Sequence, residues 1–188
     1  MNKKSIEQII SEHIVVTKSL ASHEKIIDTI SRECLNALIN KNKIILCGNG
    51  GSAADSIHIA AEFVGRFTRD RKSLPAYSLA SNQSNITSIG NDYGFENIFS
   101  RQIEGLGNKG DILIAISTSG NSQNIINAIK CANDRKMITV GLTGDDGGEM
   151  NNIKCRYLLK VNSKNTARIQ EMHLLAGHII CEYLESYF

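Results

Sequence analysis

The chain has 188 residues, of which 41% are hydrophobic and 21% charged, the size and composition of one globular domain rather than a disordered segment. Its 21 Lys and Arg against 19 Asp and Glu leave a net charge of +2 with the signs interleaved, so no basic stripe of the nucleic-acid-binding kind is present. No apolar run approaches the roughly 20 residues needed to cross a bilayer, which excludes a membrane-spanning role.

The chain begins Met1-Asn2-Lys3-Lys4, and Glu7 and Glu12 interrupt any signal-peptide core, so a soluble, cytoplasmic protein is expected. Residues 5–40 carry apolar positions at helical spacing: Ile6, Ile9, Ile10, His13, Ile14, then Ile26, Ile27, Ile30, Leu35, Leu38 and Ile39. Ala21-Ser22-His23 is expected to divide them into two helices, with Ser22 as the N-cap of the second. Residues 43–47 form a buried-strand run, ended by Gly48-Asn49-Gly50-Gly51-Ser52 and a helical segment to about Phe63. The mixed charges between Arg66 and Lys72 read as a solvated loop. Further strands are expected at 76–79, 111–116, 137–142 and 155–161. A helix follows Ser117-Thr118-Ser119-Gly120-Asn121-Ser122, and another closes the chain over 166–186.

Strands alternating with helices predict right-handed βαβ units and an α/β fold with an open parallel sheet. The whole chain, 1–188, reads as one domain, with helices over 1–40 outside the alternation as arms or an oligomer interface and an α/β core over 43–188. The five cysteines, Cys34, Cys47, Cys131, Cys155 and Cys181, are odd in number and lack any Cys-x-x-Cys pair, against both a thiolate zinc cluster and a disulfide framework.

Ligands of open α/β sheets sit beyond the carboxyl ends of the strands. Two small, polar loops are placed there, Gly48 to Ser52 and Ser117 to Ser122, each leading into a helix whose free N–H groups and dipole favour an anion. Alone, the second loop reads equally well as an N-cap and turn; the two together point to a phosphate-bearing small ligand. Gly48-x-Gly50-x-x-Ala53 also fits the short dinucleotide fingerprint, but the strand that follows ends in Ser81-Asn82 with no acid for a ribose. His58 and Glu62 are four apart and share a helix face. That spacing suits two metal ligands, a base with its orienting partner, or an ordinary surface contact, and by itself favours the last. Gln170 and His178 lie about 12 Å apart along one helix, about 80° past two turns, so they straddle one ion only if both lean along the axis. Asp92 reads most simply as a turn residue, and His13, His23 and His173 as structural.

Cys47-Gly48-Asn49-Gly50-Gly51-Ser52, Gly90-Asn91-Asp92-Tyr93-Gly94-Phe95, Ile116 to Ser122, Leu142-Thr143-Gly144 and Arg168-Ile169-Gln170-Glu171 together resemble the phosphoheptose isomerase branch of the sugar isomerase (SIS) domain family. The resemblance spans essentially the whole chain. It implies a five-stranded parallel sheet of flavodoxin-like order, a homotetramer with interfacial active sites, and a phosphorylated seven-carbon sugar as substrate. The implied reaction converts sedoheptulose 7-phosphate to D-glycero-D-manno-heptose 7-phosphate, towards heptose for lipopolysaccharide or capsule. By the same resemblance Ser117, Thr118, Ser119 and Ser122 hold the phosphate, and Asn49, Gly50, Gly51, Ser52, Asn91, Asp92 and Gln170 line the sugar. His58, Glu62, Gln170 and His178 match the family's zinc ligands, one Zn²⁺ per subunit. Glu62 and His178 also match its acid/base pair, and Asp92 joins the catalytic set. Ala53-Ala54-Asp55 departs from the family, which carries bulkier or more polar residues there.

A ketose–aldose interconversion needs a base on carbon and an acid or oxyanion stabiliser on oxygen, which a carboxylate and an imidazole supply near neutral pH. Because Glu62 and His178 stand in both implied sets, a loosely held or exchanging metal is expected. Two other readings compete. Non-catalytic relatives that bind the DnaA initiator resemble Arg168 to His173 but lack the Glu62 and His178 equivalents. A sensor or isomerase of another sugar phosphate would share the fold, since function resides in the site.

Overall fold

The molecule, a computed structural model, is described here over residues 4–188; Met1, Asn2 and Lys3 of the amino-terminal segment lie outside the described residues. Strands β1 (Ile44–Gly48), β2 (Ala76–Ser78), β3 (Ile112–Ile116), β4 (Ile138–Thr143) and β5 (Tyr157–Lys160) pair in parallel in the order β2-β1-β3-β4-β5. The helices are α1 (Ile6–Leu20), α2 (Glu24–Ile39), α3 (Gly51–Val64), α4 (Gln83–Tyr93), α5 (Ser100–Leu106), α6 (Gln123–Asp134) and α7 (Thr166–Glu185).

Every residue of β1 and β3 is buried, because helices cover both faces of a parallel sheet and leave no wet side. The pleat then sorts the side chains. Ile44, Leu46, Ile112, Ile114 and Ile116 enter the core formed with α1, α2, α3 and α7. Ile45, Cys47, Leu113 and Ala115 enter the core formed with α4, α5 and α6. The buried carboxylate of Asp111 ties the starts of β1 and β3 together by accepting from the Lys43 and Asn108 backbone and pairing with the Lys43 ammonium at 2.5 Å.

The strand order is the flavodoxin-like one, whose reversal of direction leaves a crevice between β1 and β3. Gly48 pairs in register with Ile116, so the loops leaving these two strands begin side by side. Residues far apart in the chain thus share one crevice.

Several expectations are corrected. Ser22 is not the cap of α2; it lies in a 3₁₀ turn over Ala21–His23 and donates to the carbonyl of Ser19, while His23 occupies the N-cap and its side chain caps no N–H of the helix. Leu20, Ala21 and Glu24 keep helical dihedrals and His23 departs from them, at φ −99° and ψ 10°, so the chain turns from α1 into α2 with little interruption. Helix α2 is no free arm: Ile27, Ile30, Cys34, Leu35 and Leu38 are core residues. The strands begin or end one or two residues from their expected limits, β2 stopping at Ser78 and β4 running on to Thr143. Helices α4 and α5 carry no helical pattern strong enough to be read in advance. Helix α4 has only Ile86 and Ile89 towards the core and is started by Asn82, whose side chain accepts from the Asn85 N–H. Asp92 is therefore in the last turn of a helix, not in a turn between elements.

Candidate active site

The crevice between β1 and β3 is a polar cleft of about 300 Å³ lined by Asn49, Gly50, Gly51, Ser52, Ile116, Ser117, Thr118, Ser122, Thr166 and Gln170. Gly50 adopts φ 55° as the N-cap of α3, a backbone that L side chains rarely take, and the first residues of the helix, Gly51 and Ser52, line the cleft. A Cβ on Gly51 would stand 2.5 Å from the Gln170 Nε2, so glycine there lets α7 bring its amide to the cleft. On the β3 side, the Ser117 and Ser122 hydroxyls are 3.1 Å apart. The two loops are fastened by a reciprocal amide pair. Asn49 donates to the Asn124 Oδ1 at 2.8 Å, and Asn124 donates back at 2.9 Å.

Ser119 faces a neighbouring polar hollow with Thr118, Asn121 and Lys164, and its Oγ accepts from the Asn121 N–H at 3.2 Å. Asn91 and Asp92 are exposed on α4, bonded to each other at 2.7 Å, and do not line the cleft of their own chain. A larger groove of about 490 Å³ lies between α1, α2 and α7, but its lining is mainly apolar and it touches neither loop.

A second cluster is built by two helices. His58 and Glu62 on α3 and His178 on α7 bring one donor atom each to within 4.8 Å of one another. His58 Nε2 lies 3.0 Å from Glu62 Oε1, and the His58 and His178 rings meet edge to face at 5.1 Å. The His178 Nε2 is buried with no hydrogen-bond partner among the described residues. Gly177 makes this approach possible, since a Cβ there would run into the side chain of Ile59. Two imidazoles and a carboxylate match the nitrogen and oxygen donors of zinc, and a buried ring nitrogen without a hydrogen-bond partner is in keeping with a metal ligand. Gln170, the fourth expected ligand, stands against Gly51 in the cleft about two turns earlier on α7.

Both helices begin at the cleft and carry the cluster about 10–12 Å further along. One end of the region therefore offers N–H groups and hydroxyls for an anion, and the other offers groups able to move a proton. The thiols take no part. Burial pushes Cys34 and Cys181 up to about 12 and Cys155 up to about 11, which keeps them protonated.

Some contributors were not legible beforehand. Asp55, one turn before His58 on α3, keeps a buried, unpaired Oδ2; burial raises its carboxyl and the nearby His58 opposes that rise. Its spacing of three from His58 was the available signal. Asn124 had none. His13, read as structural without a partner, places its Nδ1 2.7 Å from Glu171 and joins α1 to α7. His173 is structural as expected: it is fully buried, its Nε2 lies 3.2 Å from the Thr143 carbonyl, and burial lowers it to about 4. The 66–72 segment is not simply solvated, since the Arg71 side chain is buried and donates to the carbonyls of Glu62 and Phe63.

Comparison with known proteins gives the family and the fold. Residues 11–144 match the family model described as SIS domain. A protein of Nitratiruptor sp. named phosphoheptose isomerase is 49% identical over 188 residues, covering 94% of this chain and 99% of its own. One of the same name from Aliarcobacter butzleri is 46% identical, covering 99% and 98%. The structure of a phosphoheptose isomerase from Neisseria gonorrhoeae superposes with a TM-score of 0.91 at 41% identity, covering 96% of this chain and 97% of that one. Likeness at this level extends from the first helix to the last, and the chain belongs to the SIS domain family, in its phosphoheptose isomerase branch.

Proposed function

We propose that the chain is a ketose–aldose isomerase that converts sedoheptulose 7-phosphate to D-glycero-D-manno-heptose 7-phosphate in heptose biosynthesis. The observation that carries this reading is the pairing of an anion-binding cleft with the convergent His58, Glu62 and His178, in a chain that is collinear with named phosphoheptose isomerases.

The phosphate belongs with Ser117, Thr118, Ser119 and Ser122 and the N-terminus of α6, where backbone N–H groups and hydroxyls donate to its oxygens. Asn49, Gly50, Gly51, Ser52 and Gln170 then line the sugar. Anchoring the unreactive phosphate holds C1 and C2 in place, so remote binding energy is used for orientation. Glu62 takes the proton from carbon, passing the substrate through a cis-enediol, and returns it to the neighbouring carbon. His178, an imidazole able to change charge near neutral pH, serves the oxygens as acid and base.

Zinc is proposed as the resident ion, held by His58, Glu62 and His178, with Gln170 standing too far along α7 in this structure to join them, and when bound it would supply Lewis-acid polarisation of a carbonyl. The donor chemistry and the orphaned His178 Nε2 support that assignment. A homotetramer with sites completed at subunit interfaces is also proposed. It is supported by the exposed Ile6, Ile9, Ile10, Ile14 and Val15 along α1, and by Asn91 and Asp92 lying away from their own cleft. Asp92 would act there in a neighbouring site. Five free cysteines agree with a cytoplasmic location, and among the described residues no helix is long and apolar enough to cross a membrane. Lipopolysaccharide or capsule is the proposed destination of the heptose.

The test is proton NMR of sedoheptulose 7-phosphate with the protein in D₂O, in the presence of zinc and of a strong chelator. Aldose carrying deuterium at C2 supports proton transfer through the enediol, and aldose without it requires a shielded proton. No turnover in either arm overturns the isomerase. Full turnover in chelator, with no metal found by elemental analysis, overturns the zinc assignment.

A further inference from the structure

Helix α7 ends in a carboxylate where a helix dipole disfavours one. Glu185 is the last residue of α7, and its side chain is almost fully buried. Negative charge there is tolerated because the segment leaving α3 wraps around it. The backbone N–H groups of Phe67, Thr68 and Arg69 donate to its oxygens at 2.9–3.2 Å, and the Thr68 hydroxyl donates as well. Three successive amides around one carboxylate form an anion nest. Burial opposes the charge of Glu185, but the Thr68 hydroxyl and the three N–H groups outweigh it and hold the carboxyl at about 2. The buried Arg71 guanidinium, with its Nε 3.9 Å from Glu185, donates to the carbonyls of Glu62 at 2.7 Å and Phe63 at 2.8 Å.

These contacts join the carboxyl-terminal ends of the two helices that carry the catalytic cluster. Arg71 grips the backbone of Glu62 itself. The nest fixes the residue next to Thr68, and the ring of that residue, Phe67, packs on the His178 ring at 5.4 Å between centroids. We propose that Glu185 and Arg71 are positioning residues which hold Phe67 against His178 and fix α3 relative to α7, so that His178 and Glu62 keep their reactive alignment. This rests on His178 and Glu62 being the acid/base pair. Neither Glu185 nor Arg71 lines the cleft.

The experiment compares Phe67→Leu, Phe67→Tyr and Glu185→Gln in the full chain. Turnover of sedoheptulose 7-phosphate and the imidazole NMR signals of His178 in the metal-free protein are both read. Expected are a fall in kcat of roughly tenfold or more for Phe67→Leu and Glu185→Gln with KM unchanged, and near-normal kcat for Phe67→Tyr. The His178 signals should shift in the same two impaired variants and stay in place in Phe67→Tyr. A merely stabilising contact would lower Tm in Glu185→Gln and leave kcat and the His178 signals as in the unmodified protein; that result overturns the proposal. If Glu185→Gln does not fold, Phe67→Leu decides alone. Should the unmodified protein show no turnover, the isomerase reading has failed, and the His178 signals still decide the positioning role.

Discussion

The cleft and the helix-borne cluster are made in different ways. Each wall of the cleft is a contiguous run of sequence, Gly48 to Ser52 or Ser117 to Ser122, delivered to the end of a strand. The sheet register sets both walls level, and the Asn49–Asn124 amide pair locks them. The cluster has no such local basis. His58 and Glu62 meet His178 only because α3 and α7 pack closely at Gly177 and are tied at their far ends through Arg71 and Glu185. On the proposed function, binding falls to local loop chemistry and proton transfer to a tertiary contact between helices. A change in a loop should weaken binding, whereas a change in helix packing should misalign the chemistry.

The sharpest way to break that division is Glu62→Gln. It keeps the shape of the side chain but removes the base, and kcat should fall by roughly 10²- to 10⁴-fold while KM changes little. A rise in KM with kcat preserved would place Glu62 with the binding groups instead.

A smaller effect should appear on acidification, and it bears on the anchorage of α7. The folded protein holds His173 neutral, with burial lowering it from 6.5 to about 4. The unfolded chain therefore takes up the proton first, so the stability from neutral His173 is complete above 6.5 and is lost as the pH falls towards 4. That loss amounts to roughly 3–4 kcal/mol at most, from about 2.5 pH units at about 1.4 kcal/mol each. Thermal melts across this window should show it, and His173→Asn should flatten the slope there. Glu185 acts in a lower window. Its stabilisation is present above 4.5 and is lost as the pH falls through about 2, so Glu185→Gln should lower Tm at neutral pH and flatten the more acidic part of the melt series.

The smallest expected effect belongs to the loops. Ser119→Ala should raise KM roughly tenfold through the loss of about 1.5 kcal/mol of hydrogen bonding to phosphate, with kcat near normal. Equal loss of kcat in Ser119→Ala and Glu62→Gln would dissolve the distinction between the two regions.

Much of the architecture was readable in the chain because burial on both faces leaves a plain mark: the unbroken apolar runs of β1 and β3 have no other use in a protein of this charge. Helices α4 and α5 escaped because a short helix with few core contacts has little apolar periodicity, and α4 is initiated by one asparagine side chain. Of the site, the two loops were visible as motifs, and His58 with Glu62 as a spacing of four that an ordinary surface helix would share.

The amino-acid sequence by itself determined the α/β class, the two strand-end loops and, through its likeness to a known family, the residues expected to act. Only the tertiary structure decided that His178 joins His58 and Glu62, that Asn91 and Asp92 stand apart from their own cleft, and that Glu185 holds the segment bearing Phe67. The physical reason is range. Strand burial and loop conformation are set by neighbours in the chain, whereas the cluster depends on the close packing of two helices more than 100 residues apart, which no local pattern records.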